Sequence, residues 1–194
     1  TVAILSRGYK SADLKKPQRW TNPVSGEQVT GPPKIVSDSR EVLLDAKYAG
    51  DEPFMLAKNL PGVAVVVDRN RVRAGRFAVK ELGADTLLLD DGLQYLDLAH
   101  SLDVVLVDQD APFGNEYILP RGTLREPPRN LKRADYVFIT KCDGEPKDAL
   151  IKRIRRYNKN AEIMQCTHGP KHLHGVFHDD EQSLAFLKGK YIGA

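Results

Sequence analysis

The chain has 194 residues, room for one large domain or a domain with an appendage, and its 41% hydrophobic and 28% charged content is that of a globular chain with a buried core. A net charge of +3 at pH 7 admits anionic ligands but falls short of a nucleic-acid-binding signature, so no nucleic-acid partner is expected. The two cysteines, Cys142 and Cys166, do not make a disulfide framework and point to a reducing compartment, with the cytoplasm as default; no apolar run approaches the roughly 18 residues of a spanning helix.

The chain opens in a strand-like run, Val2 to Leu5, with no initiator Met and no signal-peptide layout. It stops in another strand-like run near Lys190, so both ends read as cut from a longer sequence. From Lys10 to Gly31 the sequence is polar, rich in Lys, Pro and Gly, and carries the only tryptophan, Trp20. That stretch reads as a surface insertion, with Trp20 and its lysines able to lie near lipid headgroups. "KIVSDSREVLL" then predicts a hairpin turning at Asp38-Ser39, and the whole excursion covers residues 10–48.

Beyond it, apolar spacing predicts helices from Glu52 to Leu60, Arg71 to Leu82, Pro146 to Asn158 and Asp180 to Leu187. β-branched runs predict strands at Val63 to Val67, Thr86 to Leu89, Val104 to Val107, Tyr136 to Thr140 and Glu162 to Gln165. Such alternation is that of an α/β fold, a mostly parallel sheet flanked by helices, and residues 1–194 read as one domain with an excursion.

Parallel sheets hold ligands outside the carboxyl ends of their strands. The loops there read "SRGY", "DRNR", "DDGLQ", "DQDAPFGN" and "TKCD", each polar or charged. "LLLDDG" has the form of a Walker B strand, whose carboxylates, here Asp90 and Asp91, hold Mg²⁺; the competing reading is that one of them caps a following helix. In "TKCD", Lys141 and Asp143 stand where P-loop nucleotide-binding proteins pack a lysine along the base and accept its hydrogen bonds, although a plain polar turn has the same composition. Asp51 and Glu52 precede Pro53 at a helix start, which acidic residues and proline favour for structural reasons alone.

Two clusters carry less chemistry. Cys166, His168, His172, His174 and His178 could offer zinc ligands, yet their spacing fits no standard finger and strand alternation separates some of them, so a solvated or substrate-facing strand is expected. In "KRIRRYNKN", Ile151, Ile154 and Tyr157 form an apolar stripe, leaving the basic residues as a solvated face.

Taken in order, "VAILSRGY", "AGDEP", "DRNRVRAG", "GADTLLLDDGLQY", "FGNEYILPRGTLREP" and "LKRADYVFITK" resemble the tetraacyldisaccharide 4'-kinase (lipid A 4'-kinase) family from Val2 to Lys141, with weaker similarity beyond. The resemblance implies a P-loop NTPase-like fold and phosphoryl transfer from ATP, with Mg²⁺, to the 4'-hydroxyl of a tetraacylated glucosamine disaccharide 1-phosphate. It places the protein peripherally at the cytoplasmic face of the bacterial inner membrane. It gives Asp51 the part of assisting deprotonation of the sugar hydroxyl, gives Asp90 and Asp91 Mg²⁺ and phosphate positioning, and makes Arg7, Glu52, Arg71, Gln94 and Glu126 substrate or phosphate contacts.

The sequence departs from the family at several places. Tyr95 stands where most members carry His, Arg121 and Thr123 replace the usual Ala and Pro, and Lys10 replaces Gly. There is no G-x-x-x-x-G-K-S/T phosphate loop, nor the family's amino-terminal membrane-associating helix or its late histidine segment. The expectation is an internal piece of a longer kinase that binds ATP poorly by itself. Two other classes stay open at this point: a non-catalytic binding module built on the same sheet, and another P-loop enzyme, such as a GTPase-like protein, suggested by "TKCD".

Overall fold

A computed structural model describes residues 1–9, 11–14, 16, 18–175 and 180–191. Contacts divide the chain into two compact units, Thr1–His100 and Ser101–Ala194.

In the first unit the sequence order is β1 (Val2–Ser6), β2 (Arg19–Thr21), β3 (Gln28–Thr30), β4 (Lys34–Asp38), α1 (Ala46–Ala49), α2 (Asp51–Asn59), β5 (Ala64–Val67), α3 (Arg71–Leu82) and β6 (Thr86–Leu89). Four strands form one sheet in the order β4-β5-β1-β6, with β1, β5 and β6 parallel and β4 antiparallel at its edge. β1 lies inside it because "VAIL" offers apolar groups to both faces. Ala3 and Leu5 pack with Ala74 and Ala78 of α3, while Ile4 packs with Ala49 and Ala57 of α1 and α2. Fully burying a side chain such as Leu5 is worth roughly 1.5–3 kcal/mol. Asn70 starts α3 by accepting a hydrogen bond from Arg73 N at 2.9 Å, and Gly83 stops it at φ 66°.

The excursion is more ordered than its composition suggests. β2 and β3 form an antiparallel hairpin, with Trp20 opposite Val29. Trp20 meets the Phe77 ring of α3 edge-on at 6.3 Å, and Asn22 Nδ2 donates to Glu81 Oε2 at 2.9 Å. Trp20 is thus turned onto a helix of its own unit. Gln18 joins this segment to β4, donating to Ile35 O and accepting from Ile35 N at 2.7 Å. The reversal predicted at Asp38-Ser39 does form, with Asp38 Oδ1 accepting from Arg40 N and Glu41 N. It returns through a single bridge, Ser37 to Val42, and then enters α1 in place of a second strand.

The second unit holds β7 (Val104–Asp108), β8 (Tyr136–Thr140), α4 (Asp148–Tyr157), β9 (Glu162–Gln165), β10 (His172–His174) and β11 (Glu181–Ser183), with 3-10 turns at Pro128–Arg133 and Leu184–Leu187. β7, β8 and β9 make a parallel sheet, and the expected α4 stripe of Ile151, Ile154 and Tyr157 packs on it with Val137, Ile139 and Phe113. Buried Asn158 ends α4 with its amide fully used: Nδ2 donates to Leu131 O and Ala134 O, and Oδ1 accepts from Asn160 N and Ala161 N.

One predicted helix is corrected. From Asp180 to Leu187 the chain is strand followed by a 3-10 turn, because Glu181–Ser183 pairs antiparallel with His172–His174. Its single turn of apolar residues cannot outweigh that pairing. Of the strand expected near Lys190, residues 190 and 191 are not in a strand, and residues 192–194 lie outside the described residues.

Candidate active site

Three parallel strands of the first unit stop in register. Ser6 stands opposite Val67, and Leu5 opposite Leu89. Main-chain bonds carry the alignment one step further, from Asp68 N to Ser6 O and from Asp90 N to Leu5 O, both at 3.1 Å. Arg7, Asp68 and Asp90 therefore leave the sheet at one edge.

Asp90 Oδ2 accepts a hydrogen bond from the buried Ser6 hydroxyl at 3.0 Å. Asp91 is exposed and sits at φ 53°, a left-handed conformation that Asp tolerates better than most residues. Residues 90–99 hold only turns and bends, so the helix that either acid was alternatively read to cap does not exist. Gln94 is exposed in the same loop.

Arg71, the first residue of α3, is only 4% exposed. Its guanidinium reaches Asp68 O at 3.3 Å and Asp90 O at 3.4 Å, lies 5.7 Å from the centre of the Tyr95 ring, and keeps a buried Nε with no partner. Among the described residues it has no carboxylate within ion-pair distance. Burial pulls its pKa below the usual arginine value, and the fields of Asp90, Tyr95 and Asp91 oppose that shift while Arg7 adds to it. An arginine with so high an ordinary pKa stays charged at neutral pH. The result is a buried cation held by neutral groups.

Tyr95 has a local role that sequence reasoning missed. Its hydroxyl accepts from Arg71 N at 3.0 Å, closing the first amide of α3 while Asn70 closes the third. The available signal was the Gly92 turn, which folds the loop back through a bond from Tyr95 N to Gly92 O. Asp68, by contrast, is spent locally, accepting from Asn70 N at 2.9 Å and pairing with Arg73 Nε at 2.6 Å.

Asp51 and Glu52 open α2, both exposed. The loop after β1 lies against this helix start. Gly8 has φ 68°, and a Cβ there would collide with Val67 Cγ1 and come within 3.4 Å of Ala49 O, so only glycine fits. Lys34 ties the same segments together from below, donating from Nζ to Ser11 Oγ, Ala12 O and Tyr48 O. The side chains of Arg7, Asp51 and Glu52 make no hydrogen bond or ion pair among the described residues.

The other predicted site residues belong to the second unit and are paired there. Lys141, at φ 60°, places Nζ 2.5 Å from Asp108 Oδ2. That bond holds the Asp108 carboxyl below the usual aspartate range and raises the Lys141 ammonium. Asp143 pairs with Lys147 at 2.6 Å, which lowers its pKa in turn. Glu126 Oε2 accepts from Arg133 Nη2 at 2.7 Å and from Asn130 Nδ2 at 2.8 Å, tying "LREP" to the turn that follows. His172 and His174 share one face of β10, with His172 Nε2 3.4 Å from Glu181; His178 lies outside the described residues. Among the described residues no group of three or more His, Cys, Asp or Glu could hold a metal ion, and no helix is long and apolar enough to cross a membrane.

Fold and site together define a class: an α/β protein with mostly parallel sheets that gathers charged groups at strand ends. The profile of the LpxK family, tetraacyldisaccharide-1-P 4'-kinase, matches residues 1–192. The chain is 38% identical to a tetraacyldisaccharide 4'-kinase of Anaeromyxobacter dehalogenans, over all of this chain and 47% of that protein. It is 43% identical to one from Geobacter metallireducens, over 74% of this chain and 38% of that one. The crystal structure of "apo" form LpxK from Aquifex aeolicus in complex with ATP superposes with a TM-score of 0.69 at 28% identity, covering 97% of this chain and 51% of that one. This chain belongs to the tetraacyldisaccharide-1-P 4'-kinase family. It spans about half the length of the relatives it matches.

Proposed function

We propose that the chain is part of an ATP-dependent kinase that phosphorylates the 4'-hydroxyl of tetraacyldisaccharide 1-phosphate in lipid A biosynthesis. In this reading both units belong to one P-loop NTPase-like catalytic domain, which works peripherally at the cytoplasmic face of the inner membrane, where the acyl chains of its substrate reside. The observation that carries the proposal is the family match across residues 1–192.

The geometry supports specific roles. Asp51, exposed and without a partner at the start of α2, takes the proton of the sugar hydroxyl as its oxygen bonds to the γ-phosphorus and the bond to ADP breaks. Arg7 and Arg71 balance charge on the transferred group, with Glu52, Gln94 and Glu126 orienting the acceptor. Lys141 and Asp143 serve the nucleotide base, the lysine exchanging its bond to Asp108 for the ligand. Asp90 and Asp91 would hold Mg²⁺: hard carboxylate oxygens, two in number, with Asp90 oriented by Ser6, suit a cation that binds one or two carboxylates and completes its shell with water and phosphate. When bound, that ion neutralises charge on the non-bridging oxygens.

The test is transfer of labelled phosphate from ATP to tetraacyldisaccharide 1-phosphate by the full-length protein, wild type against Asp51→Asn and Asp91→Asn. Transfer that collapses in both variants, with thermal stability kept, is the expected result. Wild-type protein that neither transfers phosphate nor binds ATP would replace this reading with that of a binding module.

A further inference from the structure

Tyr117, Ile118 and Leu119 are 45%, 47% and 61% exposed, three consecutive large apolar side chains at the tip of a loop. The exposed Val104 and Leu106 of β7 differ in kind, since they alternate along a strand with better-buried neighbours, as a sheet face does. A loop has no such pleat, and three exposed apolar residues in a row on a loop signal function.

The loop is built to hold that tip rigidly. At its base Phe113 is buried against Tyr157, Arg153 lies over the Phe113 ring, and Glu116 pairs with Arg153. Higher up, Leu119 N donates to Leu124 O at 2.9 Å, Leu124 N to Tyr117 O at 3.2 Å and Gly122 N to Ile118 O at 3.1 Å. Asn115 accepts from Tyr117 N and donates to Arg121 O. Any side chain at residue 122 would strike Tyr117 O. Most main-chain polar groups of the tip are thus paired within the loop, and Pro120 has no N–H to pair, which lowers the cost of leaving water.

One cation sits directly at the apolar tip. The Arg121 guanidinium stacks 3.6 Å from the centre of the Tyr117 ring. Arg125, Arg129 and Lys132 follow it in the sequence, while Arg133 is taken up by Glu126 at 2.7 Å. An aromatic at the headgroup level, aliphatic groups below it and arginines for phosphate are the parts of an interfacial anchor.

We propose that the Tyr117–Leu119 tip, with Arg121, docks this protein on an anionic phospholipid bilayer. The proposal rests on the reading above, in which the substrate is a lipid at the membrane, and it names the element that makes the contact. Flotation of the full-length protein with phosphatidylcholine vesicles, with and without phosphatidylglycerol, tests it. Ile118→Asp combined with Leu119→Asp is expected to weaken partition about tenfold, and Arg121→Glu to reduce the gain from phosphatidylglycerol. Phosphorylation of a detergent-dispersed acceptor should stay at the wild-type rate in both.

In a separate variant, Leu119→Trp, emission is expected to shift to the blue on vesicles and to be quenched by brominated acyl chains. Undiminished flotation of the acidic double variant overturns the proposal. So does a Leu119→Trp emission already blue-shifted without vesicles, which would show that the rest of the protein covers the tip. A wild-type protein that floats through this tip but transfers no phosphate would sink the kinase reading and leave the anchor standing.

Discussion

The two units treat charge in opposite ways. In the second, Lys141 meets Asp108, Lys147 meets Asp143 and Arg133 meets Glu126, so cation and carboxylate neutralise each other within the unit. In the first, Arg71 is held by two carbonyls and a phenol ring, Asp90 by a serine hydroxyl, and Arg7 and Asp51 by no group among the described residues. Neutral partners fix a charged group in place without cancelling its field, so Arg7, Arg71 and Asp90 at the strand ends of the first unit keep their charge available for a ligand, while Asp68 beside them is spent on Arg73. A self-paired group must give up a partner before it can do the same. The chemistry is therefore expected to depend on the first unit far more steeply than on the second.

The largest effect should come from Asp51 and Arg71. In the full-length enzyme Asp51→Asn is expected to lower kcat by about 10²–10⁴-fold with little change in Tm, because the exposed carboxylate carries no contact to lose. Arg71→Lys keeps the charge but loses the fork that spans Asp68 O and Asp90 O, and a drop of about 10²-fold is expected. Steady-state rates with calorimetry on the same samples would check both. A lysine variant with wild-type kcat would mean that the buried guanidinium is a structural plug, and the contrast between the units would fail.

The second unit should answer with stability. Glu126→Gln leaves Arg133 with a neutral partner and is expected to cost about 2 kcal/mol in a denaturant titration. If it instead abolished catalysis with stability intact, its part in orienting the acceptor would outweigh its tie to Arg133, and the contrast between the units would fail.

Much of this arrangement was legible in the sequence, for a physical reason. Strands such as "VAILS" and "TLLL" are short, apolar and bounded by charged loops, and parallel pairing brings those loops to one edge whatever the details. The bounds of α3 follow from its Asn cap and its Gly stop. What stayed hidden depends on partners distant in sequence. Trp20 alternates with polar residues in a Lys- and Pro-rich stretch, and nothing local shows that Phe77, 57 positions on, will receive it. The strand at Glu181–Ser183 exists only because His172–His174 lies beside it. At the site, residue types pointed to Asp90 and the family resemblance to Arg71, but that Lys141 and Asp143 would be paired within their own unit was not readable from "TKCD".

Tyr95 gives a smaller, sharper test of the first unit. Tyr95→Phe keeps the ring under Arg71 and removes the acceptor of Arg71 N, so a loss of about 1 kcal/mol is expected, with a few-fold change in kcat/KM. Tyr95→Ala loses the ring as well and should act more strongly. In an Arg71→Ala background the kinetic part of both effects should vanish, since it is exerted through the guanidinium. Kinetic penalties that persist unchanged there would detach Tyr95 from Arg71.

The smallest expected effect concerns the hairpin rather than the site. The Asn22 amide holds the Glu81 carboxyl below the usual glutamate range, helped by Lys80 and opposed by burial. A depressed folded-state pKa means that the unfolded chain binds the proton first, so this contact stabilises above the ordinary glutamate pKa and is lost as pH falls through the lower folded value. Between about pH 5 and pH 3 the wild type should lose slightly more Tm than Glu81→Gln does. The emission of Trp20, isolated by subtracting a Trp20→Phe spectrum, should shift to the red over the same interval as the ring leaves Phe77. Parallel Tm curves with an unchanged Trp20 signal would show that the hairpin is held by the aromatic contact alone, and that this carboxylate, though it lies in the first unit, is as self-contained as those of the second.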